Sequence, residues 1–230
     1  MRHALAPLLL ALPLACATVH LEISEADQIR AKEELEGRRS FLRVATFIGP
    51  LWDDTEKAFL TDRPAGELDL VETPGGKPIP PPAFERVLPP GTPVRIELIE
   101  FPSTLMANER VLVTPRYHPW VYLEVEGEKR PGVIVLPRNV KSFADVRAEL
   151  ERFLIPNDPR PALAALPPEV RALVLRKEAA PGMSARALEM AWGLPERKWI
   201  DRPAGTEKWF WEGGKRKAFL REDRVESVER

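Results

Sequence analysis

The sequence has one cysteine, Cys16, in 230 residues. A single thiol excludes an intramolecular disulfide and any metal site built from several cysteines. Histidine is nearly as scarce: His3, His20 and His118 are the three present, and no two of them stand at a metal-ligand spacing. Neither sign of charge is in excess. Against 34 lysines and arginines stand 35 aspartates and glutamates, a formal net charge of −1. No basic surplus exists to neutralise phosphates, so no nucleic-acid partner is expected. The apolar run at the amino terminus, Ala4–Leu14, falls short of the ~20 residues that a bilayer-spanning helix needs.

Recognisable catalytic groupings are lacking as well. No serine, cysteine or second histidine stands near His118 in a nucleophile pattern. Asp53 and Asp54 are adjacent, and adjacency does not give paired acids their working geometry. Gly75-Gly76 and Gly213-Gly214 read as hairpin glycines rather than phosphate loops. A non-catalytic protein without metal or cofactor is expected.

What is present is proline and enough apolar material for real cores. The 25 prolines are about twice the usual ~5%, which favours short strands and ordered loops over a helical bundle. At 44% hydrophobic and 30% charged the chain is not disordered overall. Its length suits two domains of ~100–150 residues each.

Residues 1–15 read as a secretory signal: Met1-Arg2-His3, the apolar run, then small Ala15 before Cys16. Leu14-Ala15-Cys16 resembles the end of a bacterial lipobox, departing from it at Pro13. This implies cleavage before Cys16, lipid on Cys16, and a membrane partner reached through that lipid. Ala17 after the cysteine implies the outer membrane, with the protein on the periplasmic face. The competing reading is an ordinary signal peptide with an incidental cysteine.

Residues 16–40 are then a lipidated tether. Ser24-Glu25-Ala26-Asp27 is a capping-box pattern that starts a charged helix, expected to end at Gly37 and to serve as a solvated stalk. Residues 41–155 form a β domain closed by a helix. Strands are expected at Phe41–Ile48, Glu67–Val71, Gly91–Leu98, Arg110–Thr114, Trp120–Val125 and Gly132–Leu136. Val94, Ile96 and Leu98 are expected on one face of theirs. Leu88–Ile96 resembles the opening of a strand in bacterial SH3-like barrels, which implies a small barrel or sandwich. Ser142-Phe143-Ala144-Asp145 caps the closing helix, and the proline-rich stretch 156–166 reads as a linker.

Residues 167–230 carry a helix pair and an antiparallel sheet, so the chain is expected to be α+β. Pro167-Pro168 opens the first helix, and Ser184 caps the second, which stops at Gly193. Strands follow at Lys198–Ile200, Glu207–Trp211, Lys215–Leu220 and Arg224–Val228. Gly182-Met183-Ser184, Gly193-Leu194-Pro195, Trp209, Trp211 and Val225 together resemble the SmpA/OmlA/BamE family over residues 176–228, about a quarter of the chain. Members are small outer-membrane lipoproteins, usually the module alone. The resemblance implies a binding or scaffolding role in outer-membrane protein assembly or envelope integrity, with an envelope protein as partner.

Candidate binding residues fall in two clusters. Arg116, His118, Trp120 and Tyr122 lie in a cationic, aromatic segment stiffened by Pro115 and Pro119. They could line a groove for a peptide or for peptidoglycan, or form a second packing surface. Trp120 and Tyr122 share one strand face, opposite Val121 and Leu123. Trp209 and Trp211 share a face of their strand, with Phe210 opposite, and either contact a partner or bury the helix pair. Lys215-Arg216-Lys217 is a basic run suited to a solvated turn or to anionic head groups. An alternative to the adaptor is a wall- or peptide-binding protein. A further one is an envelope hydrolase whose carboxylates converge in a cleft.

Overall fold

A computed structural model describes residues 21–230, so the leader and Cys16 lie outside the described residues. The chain is α+β, with an eight-stranded mixed sheet and a four-stranded antiparallel one. The large sheet is built from β1 (Arg39–Leu42), β2 (Thr46–Leu51), β3 (Asp54–Thr61), β4 (Arg86–Leu88), β5 (Pro93–Glu100), β6 (Trp120–Val125), β7 (Gly132–Val135) and β8 (Leu154–Ile155). Their order is β4-β2-β3-β7-β6-β5-β1-β8. Every pairing is antiparallel except β3 with β7.

Alternation along the central strands sends side chains into two cores. Leu60, Val121 and Ile134 belong to one, and their neighbours Phe59, Trp120 and Val133 to the other. The first core is covered by α1 (Glu25–Leu35) and α3 (Phe143–Phe153), through Ala31, Leu35, Phe143, Val146 and Leu150. The helix expected to be a stalk is therefore part of the domain. Its apolar face is thin, but small Ala31 lets it sit close, and the Glu36 carboxylate accepts a hydrogen bond from the Ile99 amide at 2.8 Å. Ser142 and Asp145 make the expected reciprocal cap on α3.

Three strand expectations change. Phe41–Ile48 is not one strand: the chain bends at Arg43 and Val44 between β1 and β2. Residues 68–71 form a loop that joins neither sheet. Buried Leu68 and Val71 cover the second core, and the Trp52 indole holds the loop by donating to the Ile79 carbonyl at 2.8 Å. Arg110–Thr114 follows α2 (Thr104–Glu109) as a chain of turns, closed where the Thr114 hydroxyl donates to the Val111 carbonyl at 2.7 Å. The register of β5 also shifts between Ile96 and Leu98. The shift turns Leu98 out to 42% exposure and puts Ile99 in the core beside Val94 and Ile96.

The carboxy-terminal module has its own core. The stretch expected as a linker contains α4 (Arg160–Ala164), and Ala162, Leu163 and Leu166 already belong to that core. Then come α5 (Pro168–Leu175), α6 (Ala185–Trp192) and strands β9 (Arg197–Asp201), β10 (Thr206–Trp211), β11 (Arg216–Arg221) and β12 (Arg224–Glu229) in order β12-β11-β10-β9. Ser184 caps α6, accepting from the Ala187 amide at 3.2 Å. Gly193 ends it at φ +87°, with Asp62 so near that a Cβ there would stand 2.6 Å from its carboxylate.

The module meets the large sheet through polar contacts. The Ala45 amide donates to the Met190 carbonyl at 2.8 Å. Arg216, in the middle of the run expected to be solvated, is buried and pairs with Glu67 at 3.2 Å. Lys177 is buried as well, and its Nζ donates to the carbonyls of Ala45 and Ala191.

Candidate functional site

Two clefts open on the large sheet, and the segment 116–122 contributes to both. The larger, about 860 Å³, is bounded by the end of β3, the loop 68–74, the turns 112–118 and the outer side of α3. Helix α3 serves two surfaces: Val146 and Leu150 enter the core, while Glu149, Arg152 and Phe153 face the cleft. The floor is apolar, from Leu70, Ile79, Val113, Val135 and Leu136. Leu112, 71% exposed, stands among its lining residues.

Charges of both signs ring this floor: Arg63, Arg116, Arg138 and Arg152, with Asp62, Asp69, Glu72 and Glu149. Burial raises Glu149 above the ordinary carboxylate range, opposed by Arg152 and Arg63. Arg152 also donates to the Leu194 carbonyl at 3.3 Å, tying the cleft wall to the module.

His118 is half-buried at the cleft, and its Nδ1 lies 2.9 Å from the Leu136 carbonyl. A carbonyl only accepts, so Nδ1 carries the proton. Burial lowers the imidazole to about 4, and Arg138 and Arg110 push it the same way. The ring is therefore neutral at pH 7 and presents its Nε2 as an acceptor.

The smaller cleft, about 510 Å³, lies on the other side of the segment. Trp120 and Tyr122 line it together with Asp53, Asp54, Glu100 and Arg110. The sharing of a face by Trp120 and Tyr122 is as the alternation implied. Trp120 is nonetheless a core residue at 1% exposure, its indole donating to the Pro115 carbonyl at 3.1 Å. Tyr122 is half-buried, and burial raises its phenol to about 12, with Glu100 acting in the same direction.

Arg110 holds the two clefts together, and nothing in the spacing of the sequence singles it out. Its guanidinium lies 3.7 Å over the Trp120 ring and pairs with Glu100. It also donates to the carbonyls of Arg116 and His118, at 2.9 and 2.8 Å. One side chain thus fixes the turn that carries Arg116, Tyr117 and His118.

Trp209 and Trp211 are remote from both clefts. Each is 2% exposed, packed in the core of the module. Trp211 meets Trp192 edge-on at 5.2 Å and donates to the Gly193 carbonyl at 3.1 Å. They bury the helix pair rather than face a partner. Among the described residues no group of three or more acidic, histidine or cysteine side chains is arranged to hold a metal ion, and no helix is long and apolar enough to cross a membrane. A scan against protein-family models and searches of curated proteins and of solved structures found no match to this chain.

Proposed function

We propose that this is a non-catalytic envelope lipoprotein, exported and held at the outer membrane by lipid on Cys16, that acts by binding another envelope component in the larger cleft. The observation that carries the binding role is the cleft itself: an apolar floor ringed by charge on a rigid sheet, the usual form of a recognition site. The location rests on Leu14-Ala15-Cys16 and Ala17. The resemblance of residues 176–228 to the SmpA/OmlA/BamE family supports an adaptor in outer-membrane protein assembly or envelope integrity. Peptidoglycan is the other partner this site would suit.

A photo-crosslinking residue at Leu112, in the native host, tests this reading. The expected result is a discrete adduct with an envelope protein or a wall fragment. Adducts that form only from Trp199, exposed on the module's sheet, and not from Leu112 would move function away from the cleft.

One observation favours the hydrolase reading: Asp54 and Glu100 both line the smaller cleft, close to Tyr122. Each is already held by a cation, Asp54 by Lys57 at 2.7 Å and Glu100 by Arg110.

A further inference from the structure

Tyr117, in the wall of the larger cleft, carries two guanidinium groups on one ring. Arg116 lies 4.7 Å and Arg138 5.7 Å from its centroid. The two cations are therefore within about one Debye length of each other, on the order of 10 Å. The quadrupole of the ring holds each of them but leaves their mutual repulsion in place. Among the described residues neither is ion-paired with a carboxylate; Arg116 donates to the Tyr117 hydroxyl at 2.5 Å. Three other arginines at the sheet are paired, Arg86 and Arg130 with Glu128 and Arg95 with Glu124. Asp69, whose field reaches His118, bonds to neither arginine. Two cationic side chains thus stand together on one ring beside an apolar floor, with no carboxylate bonded to either among the described residues.

The rest of the lining narrows which anion these two cations suit. An acyl chain would cover Arg63 and Glu149, half-buried lining residues whose side chains make no hydrogen bond among the described residues, with groups that cannot hydrogen-bond, and buried polar groups left unpaired are costly. A peptide offers apolar side chains to the floor and amides to those groups. We propose that the larger cleft takes the carboxy-terminal end of a peptide, the terminal carboxylate on Arg116 and Arg138 and the last side chains on Val113, Val135 and Leu136. The proposal rests on the reading of this cleft as a binding site and names its ligand.

The test uses the full chain in phosphatidylcholine nanodiscs and the peptide Ser-Val-Ser-Leu-Val-Phe with fluorescein on its amino terminus, read by anisotropy. The free carboxylate is expected to bind at least about tenfold more tightly than the carboxy-terminal amide, since a charge-assisted bidentate contact is lost. The double variant Arg116→Gln, Arg138→Gln is expected to bring the free peptide down to the amide's affinity, at an unchanged melting temperature. Equal affinity for acid and amide overturns the proposal. So does displacement of the peptide by laurate at lower concentration than by unlabelled peptide, which would assign the arginines to a fatty acid. Either result, with crosslinking at Leu112 intact, leaves the cleft a binding site for another ligand; loss of that crosslink removes the broader reading too.

Discussion

The protein is expected to gain stability as pH rises from 7 to 10, and Lys177→Met is expected to abolish most of that gain. Burial lowers Lys177 from 10.5 to about 7. A base whose folded pKa is depressed is held neutral in the native state while the unfolded chain still binds a proton. Between those two values the unfolded state binds more protons, so stability rises with pH across the window and is lost as pH falls from 10.5 toward 7. The shift corresponds to at most about 5 kcal/mol, or on the order of 10 °C in melting temperature for a chain of this size.

The geometry explains why the lysine is there. It bridges the carbonyl of Ala45, in the link between β1 and β2, to that of Ala191 in the last turn of α6, and a neutral amine has two N–H groups for those two acceptors. Asp62 and Glu67 favour the charged form and Arg216 opposes it. Methionine fills the space but leaves both carbonyls unpaired, about 1–3 kcal/mol each. The variant should therefore be clearly less stable at pH 10 and closer to wild type at pH 7. Thermal melts of both proteins across this range check it. Parallel curves would show that Lys177 is solvated and that the module docks by other means.

Trp120→Ala is expected to lower stability by about 3–5 kcal/mol, the usual cost of removing a large buried aromatic side chain. The ring loses its packing against Phe59, Val71 and Val133 in the second core, and the Pro115 carbonyl loses its donor. Arg110 also loses the surface it lies on, which loosens the turn bearing Arg116 and His118. A fall on the order of 10 °C in melting temperature is the predicted readout. An unchanged melting temperature with lost ligand binding would return Trp120 to the groove-lining role open to it on sequence alone.

That residue shows where the sequence was informative and where it was not. Alternation in Trp120–Val125 correctly separated Trp120 and Tyr122 from Val121 and Leu123, because period-two pattern is a local property of an extended chain. It could not say whether a second layer covers the outer side. The cover comes from Leu68 and Val71, distant in sequence, in a loop that Trp52 pins. The same loop explains why Glu67–Val71 read as a strand: Leu68, Leu70 and Val71 are apolar for packing, while the segment joins neither sheet.

The capped helices and the carboxy-terminal strands were legible because Ser142, Ser184, Pro168 and Gly193 act on the backbone beside them. Strand β3 was not, since Asp54–Lys57 gives it a polar start and its parallel partner β7 is far along the chain. The cleft was half legible. Arg116 and His118 were found by composition. Arg63, Arg138, Glu149 and Arg152 come from other elements and meet them only in the fold.

The central claim, a lipid-anchored envelope protein, is tested most directly by fractionating host cells that carry the wild type or Cys16→Ala. The account predicts the wild type in the outer-membrane fraction, labelled by radioactive palmitate, and the unlabelled variant in the soluble periplasm. A wild-type protein that is soluble and unlabelled, or a variant that stays with the membrane, would contradict it.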